Sequence, residues 1–95
     1  MKLIMSVNIL SGDTPGKRHV HALLHKEYDT DLVPMVGMEI EDPAWNQSRA
    51  IRSVTINPDE DYYYVYAGDD IGQDNVQCEQ LEQAYHAHGW RRPMA

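Results

Sequence analysis

Apolar side chains recur at every second position near the start of the chain. The odd-numbered positions of residues 3–9 carry Leu3, Met5, Val7 and Ile9, and most even-numbered positions around them are polar. Since successive side chains of a strand point to opposite faces, this period predicts a strand over residues 2–10 with one face in a core. Residues 11–16, Ser-Gly-Asp-Thr-Pro-Gly, are rich in turn formers and predict a loop that returns the chain.

Residues 18–28 have two interpretations. Apolar residues alternate with histidines and other residues over most of the segment, at Val20, Ala22 and Leu24. This period favours a second strand. Val20 and Leu23 also fit the 3.6-residue period of a helix, so a short helix is the alternative.

The middle of the chain predicts a bend, a short strand and a buried tryptophan. Because the residue before a proline avoids the helical region, residues 32–40 should begin extended before Pro34, bend at Gly37 and end in a short strand. Trp45 lies in the polar segment that follows. A large aromatic there is expected to fold back as a lid over one end of a small core.

The firmest prediction is a β-hairpin. Two apolar segments, residues 50–56 and 62–67, flank Asn-Pro-Asp-Glu-Asp at 57–61, a composition that suits the turn of a hairpin. The apolar positions of the first segment do not share one parity: Ile51, Val54 and Ile56. We therefore expect a bulge or a register irregularity in that strand.

An amphipathic helix is expected near the C-terminal end, after a loop over residues 68–73. Asp74 suits the N-cap position, Gln77 completes a capping-box pattern, and Gly89 suits the helix end. Helical spacing predicts one face toward the core, formed by Cys78, Leu81, Ala84, Tyr85 and His88. Together the elements predict an α+β fold, either a small antiparallel sheet or a partly closed β-barrel of four to five strands, with one C-terminal amphipathic helix.

Composition narrows the class of protein. Ninety-five residues with 42% hydrophobic content suit a single domain over residues 1–95. The formal charge of −7 disfavours nucleic acid and membrane as partners, because both attract basic surfaces. The single cysteine, Cys78, cannot form an internal disulfide, and no apolar stretch approaches the roughly 18 residues of a membrane span, so we expect a cytoplasmic protein.

Tyrosines on the second hairpin strand are the main candidates for function. Tyr62, Tyr64 and Tyr66 share one face of the strand, and the residues between them share the other. Under the helix these tyrosines would be structural, whereas on the outer face they would form an aromatic stripe of the kind that dominates protein interfaces. Carboxylates lie at both ends of the stripe: Asp59, Glu60, Asp61, Asp69 and Asp70. This charge suits a basic protein partner.

The segment from Asp61 to Asp70 resembles in composition the Tyr-Tyr and acidic patch of bacterial immunity proteins that cap nucleases, which are four-helix bundles and so have a different fold. We expect a small binding protein of bacterial or phage type, an inhibitor or immunity-type protein that captures a protein partner. No catalytic motif is recognised, so an enzyme is not expected. A homo-oligomeric structural subunit is an alternative.

A histidine-rich strand provides another alternative, a metal-binding or metal-regulated domain. Alternate residues of a strand point to one side, which would make His19, His21 and His25 ligands of zinc or another divalent metal. His86 and His88 offer a further ligand near the helix end. No Cys pair or H-E-x-x-H motif accompanies these histidines, so a solvated strand is the simpler interpretation, and no other cofactor is expected.

Overall fold

A computed structural model of the chain describes residues 1–93. Their elements are six strands and one helix: β1 (Lys2–Ser11), β2 (His19–Asp29), β3 (Glu39–Ile40), β4 (Arg49–Ala50), β5 (Ser53–Asn57), β6 (Tyr62–Gly72) and α1 (Asn75–Ala87). The strand interpretation of residues 18–28 is therefore confirmed. Over the same described range, no helix has the length and apolar character needed to cross a membrane.

Four of the strands form an open mixed sheet in the order β2-β1-β6-β5. β1 is antiparallel to β2, β6 is antiparallel to β5, and the central pair β1 and β6 is parallel. β3 and β4 form a separate antiparallel pair. The α+β class with one C-terminal helix is confirmed; the sheet has a parallel pair at its centre and does not close into a barrel.

The predicted hairpin is present, with Asn57 paired to Tyr62 across its turn. The Asn57 side chain accepts a hydrogen bond from the Glu60 N–H at 3.1 Å, and Asp61 adopts a left-handed φ of 61°. The predicted first strand is divided into β4 and β5, and Ile51 between them is buried. This division explains the broken parity, because the chain leaves one sheet and joins the other.

The predicted loop over residues 68–73 is wrong for most of its length, since β6 continues to Gly72. A β-bulge makes the longer strand possible. The register with β1 shifts by one residue between Ser6 and Asn8, and Gly68 beside this shift has a φ of 100°, a conformation that favours glycine. Beyond the bulge, the side chains of β6 therefore change faces relative to the simple alternation.

The core lies between one face of the large sheet and α1. Its buried side chains come from every second position of the three longest strands, from the helix, and from two tryptophans: Met5, Val7, Ile9, Ala22, Leu24, Val65, Ala67, Cys78, Tyr85, Trp45 and Trp90. Trp45 and Trp90 pack with ring centroids 5.8 Å apart. The predictions that Trp45 covers the core and that Cys78 lies within it are confirmed.

The N-terminal capping of the helix agrees with the prediction, whereas the residues on its buried face agree only in part. The Asp74 carboxylate accepts from the Gln77 N–H at 2.8 Å, while the Gln77 side chain accepts from the N–H one residue before the cap. Glu82 is buried, whereas Ala84 and His88 are exposed, so the predicted core positions of the latter two are wrong. His88 is the C-cap, one residue beyond the last helical residue, Ala87.

The segment after α1 pairs with β2 at one edge of the sheet and forms a hydrogen bond with a buried carboxylate. Arg91 and His25 of β2 exchange two backbone hydrogen bonds, at 2.7 and 2.9 Å. The neighbouring Trp90 donates its indole N–H to Asp42 at 3.0 Å, and Lys26 of β2 donates to the same carboxylate at 2.7 Å. Asp42 thus connects the loop before β4 to both β2 and the C-terminal segment.

Candidate functional site

The helix covers only one of the two faces of the large sheet. Met5 and Val65 are paired across β1 and β6, and both are buried on the helix side. Tyr62, Tyr64 and Tyr66 alternate with Val65 and therefore project from the opposite face. Every sheet residue of the core cluster belongs to the helix side, so the even-numbered tyrosines lie outside the core.

The central tyrosine of this face is fixed by a histidine two strands away. The Tyr64 hydroxyl lies 2.8 Å from His25 Nε2, and the two rings meet edge to face at 5.2 Å and 78°. Between them on β1, Ser6 is fully buried and donates to the Val65 carbonyl at 3.1 Å. Burial lowers the pKa of His25, with a smaller opposing effect from the Glu27 carboxylate, so the imidazole is neutral at neutral pH.

The tyrosines at either end of the stripe are also held by polar partners. Tyr66 donates its hydroxyl to Asp69, which also accepts from Asn8 at 3.2 Å. Burial, together with the hydrogen bond to Asp69, raises the pKa of Tyr66, so this phenol remains a neutral donor. Asn57 donates to the Tyr62 hydroxyl at 3.3 Å. All three even-numbered tyrosines therefore have defined side-chain positions.

Three exposed carboxylates stand at one end of this stripe. Asp59, Glu60 and Asp61 belong to the turn that precedes β6, directly before Tyr62. No ion pair of residues 1–93 involves any of the three. We call the tyrosine face the set of Tyr62, Tyr64, Tyr66, His25, Asn8 and Asp69, with the turn carboxylates at its rim.

Asp70 does not belong to this surface, which corrects its expected place beside Asp69. It forms two hydrogen bonds with the Arg49 guanidinium, at 2.6 and 3.1 Å, and accepts from the Tyr85 hydroxyl on the helix side. Trp45 donates to the same hydroxyl at 2.9 Å. The bulge is the cause, because the extra residue sends Asp69 to the tyrosine face and Asp70 to the helix.

The three histidines expected to form a metal site do not come together. His25 contacts Tyr64, whereas His21 lies 3.3 Å from Glu82 of α1, on the helix side. His19 is exposed at the start of β2. A register shift opposite Ile9 interrupts the alternation between His21 and its neighbours. In the described part of the chain, no three His, Cys, Asp or Glu side chains are arranged to hold a metal ion.

Glu82, the partner of His21, is also bound by side chains of α1 and of the C-terminal segment. Arg92 donates two hydrogen bonds to it, at 2.7 and 2.8 Å, and His86 lies 2.9 Å away on the next helical turn. The hydrogen bonds from Arg92, which outweigh the effect of burial, lower the pKa of Glu82 to about 2. The carboxylate is therefore ionised at neutral pH and fastens the C-terminal segment to α1.

No protein-family model matches the chain, and comparison with curated proteins and with solved structures yields no significant match. Evidence on function therefore comes from the residues of the chain itself.

Two groups of the tyrosine face are not identified by the sequence patterns. Asn8 falls on the polar side of the predicted first strand, which is a usable signal, but its contact with Asp69 depends on the bulge. The histidine pattern assigns His25 to a metal site, and its contact with Tyr64 requires that β2 and β6 flank β1. That strand order is not readable from local periodicity.

Proposed function

We propose that this chain is a small cytoplasmic protein-binding module that captures a basic protein partner through the tyrosine face, as an inhibitor or an immunity-type protein does. The observation that carries the proposal is the unequal covering of the sheet: α1 packs against one face, and three adjacent tyrosines project from the other. Tyrosine is enriched among the residues that provide most of the affinity in protein interfaces.

The contacts of the tyrosines favour binding for a second reason. Tyr64 is held by His25, Tyr66 by Asp69 and Tyr62 by a neighbouring amide. Side chains that are already ordered lose little conformational entropy when a partner binds, so more of the contact energy appears as affinity. The face therefore resembles a preorganised binding surface more than a set of freely rotating side chains.

The charge of the rim indicates the kind of partner. Asp59, Glu60 and Asp61 are exposed, and Asp69 adds a fourth carboxylate within the face. A basic partner would be attracted by this group, which accelerates the encounter, and a second acidic protein would be repelled. Binding should therefore weaken as salt concentration rises.

Affinity capture from a lysate of the native organism tests the proposal, with Tyr64→Ala and Tyr63→Ala compared with the unchanged chain. Tyr63 is the matched control, since it has the same side chain on the same strand but points to the helix side. We expect Tyr64→Ala to weaken the binding of a basic protein by about 2 kcal/mol, roughly thirtyfold in affinity, and Tyr63→Ala to leave that binding unchanged. Retention by a folded Tyr64→Ala variant would refute the assignment of this face.

A further inference from the structure

The segment between β2 and β3 exposes an unusual amount of apolar surface. Ten large apolar residues are exposed in the described part of the chain, and half of them lie within residues 32–38. The exposed fractions run from 42% to 72%, for Leu32, Val33, Met35, Val36 and Met38. Isolated exposed apolar residues are ordinary, but a concentration of this kind marks an interaction site.

This segment has a fixed backbone. Gly37 donates its N–H to the Ile51 carbonyl at 2.9 Å, and Ile51 donates in return to the Met38 carbonyl at 2.8 Å. Pro34 is buried, which anchors the middle of the segment. The apolar side chains are therefore presented to solvent from an ordered chain, as a binding surface requires.

A groove of about 450 Å³ lies beside the segment, on the helix side of the sheet. Its lining is mainly apolar and includes Leu3, Tyr28, Leu32, Pro34, Met38 and Ile40. Because the odd-numbered residue Leu3 of β1 faces away from the tyrosine stripe, the groove and the tyrosine face occupy opposite sides of the sheet. The groove is thus a separate surface, which does not depend on the function proposed above.

Carboxylates surround the groove. Exposed acidic residues flank both ends of the apolar segment: Asp29, Asp31, Glu39 and Glu41. None of them is in an ion pair of residues 1–93. Two lysines lie nearby and are paired with other carboxylates: Lys26 with Asp42 at 2.7 Å, and Lys2, the register partner of Asp29, with Glu27 at 3.5 Å. The groove therefore combines an apolar floor with an acidic rim.

We infer that this groove binds an amphipathic segment of a protein, with apolar side chains in the groove and Lys or Arg against the acidic rim. A second copy of this chain fits poorly, because a two-fold contact would bring two acidic rims together. An anionic membrane is repelled for the same reason. Apolar contact with opposite charge at the rim is the usual way in which an amphipathic helix binds a groove.

Fluorescence anisotropy with two labelled helical peptides of equal length tests this inference. One peptide has a Leu face flanked by Lys, and the other has the same Leu face flanked by Glu. We expect the Leu/Lys peptide to bind in a salt-sensitive manner and the Leu/Glu peptide to bind far more weakly. Leu32 lines the groove and is 72% exposed. Leu32→Ser should therefore weaken binding of the Leu/Lys peptide about tenfold, since an exposed apolar contact is lost without a change to the core.

Two control variants make the result decisive. Val76→Ser removes a similarly exposed apolar side chain from α1, and Tyr64→Ala alters the tyrosine face; both should bind the Leu/Lys peptide normally. Unchanged binding of the Leu/Lys peptide by the Leu32→Ser variant, or equal affinity of the unchanged chain for the Leu/Glu peptide, would overturn the inference. Dimerisation that Leu32→Ser abolishes in sedimentation, or binding to phosphatidylcholine or phosphatidylserine vesicles, would assign the surface to another occupant and overturn it too.

Discussion

Asp42 is the side chain whose replacement should destabilise this fold most clearly. Its carboxylate is completely buried and accepts hydrogen bonds from Lys26 Nζ at 2.7 Å, the Ala44 N–H at 2.9 Å, the Trp90 indole at 3.0 Å and the Tyr28 hydroxyl at 3.3 Å. Burial alone would raise the pKa of Asp42, but the hydrogen bonds from Lys26, Trp90 and Ala44 outweigh it and lower the pKa below its usual value.

The change Asp42→Asn keeps the shape and removes the charge. Lys26, whose side chain is 17% exposed, then lacks its counter-ion, and removing one partner of a buried pair costs about 3–5 kcal/mol. The amide also has an N–H group where the carboxylate has a second acceptor oxygen. Either Lys26 and Tyr28, which donate to Oδ1, or Ala44 and Trp90, which donate to Oδ2, therefore lose their acceptor. We expect a loss of about 3 kcal/mol in the free energy of unfolding.

Urea denaturation at pH 7, followed by tryptophan fluorescence, measures this loss. The midpoint should fall sharply while the dependence on denaturant stays constant, as for a change in stability alone. Asp59→Asn is the control, because Asp59 is an exposed turn carboxylate, and its effect should lie within about 0.5 kcal/mol. A loss below about 1 kcal/mol for Asp42→Asn would contradict the reasoning, since it would mean that Lys26 reaches water without cost.

Three further changes test other parts of the fold. The pKa of Glu82 is 4.5 in the unfolded chain and about 2 in the folded one, so its contribution to stability is complete above pH 4.5 and is lost as the pH falls toward 2. Glu82→Gln should lower the free energy of unfolding by about 1–2 kcal/mol at pH 7, a figure reduced because Arg92 is exposed. Urea titrations at several pH values should show a weaker loss of stability in acid for this variant. In Gly72→Ala, the new Cβ would lie 2.5 Å from Cys78 Sγ and 2.9 Å from its backbone nitrogen, so calorimetry should record a loss of about 1–3 kcal/mol. Gly68→Ala should cost about 1 kcal/mol because of its φ of 100°, and amide NMR shifts should change at the bulge; an unchanged melting temperature and spectrum would contradict the role of that glycine.

Local patterns in the sequence predict the elements well where one residue period dominates. The alternation over residues 2–10 identifies β1, the Asn-Pro-Asp-Glu-Asp turn identifies the hairpin of β5 and β6, and Asp74 identifies the start of α1. Alternation within residues 62–66 likewise predicts that the even-numbered tyrosines and Val65 lie on opposite faces of β6. Which of these two faces α1 covers is a tertiary question, and strand parity does not answer it.

The features that sequence reasoning missed arise from pairing between distant segments. The parallel pairing of β1 with β6 joins residues about 60 positions apart, for which local periodicity carries no signal. The bulge at Gly68 then exchanges the faces of Asp69 and Asp70. A buried carboxylate such as Glu82 is likewise invisible to hydrophobic periodicity, because its burial depends on Arg92, ten residues later.

Site-specific photocrosslinking in the native cell tests the central claim most directly. A photoreactive phenylalanine derivative replaces Tyr64 in one variant and Tyr63 in another, which places the same probe on the two opposite faces of β6. The tyrosine-face assignment predicts that position 64 crosslinks one basic protein and that position 63 does not. Crosslinking of that protein from position 63 alone, or no crosslink from position 64 in a folded variant, would contradict it.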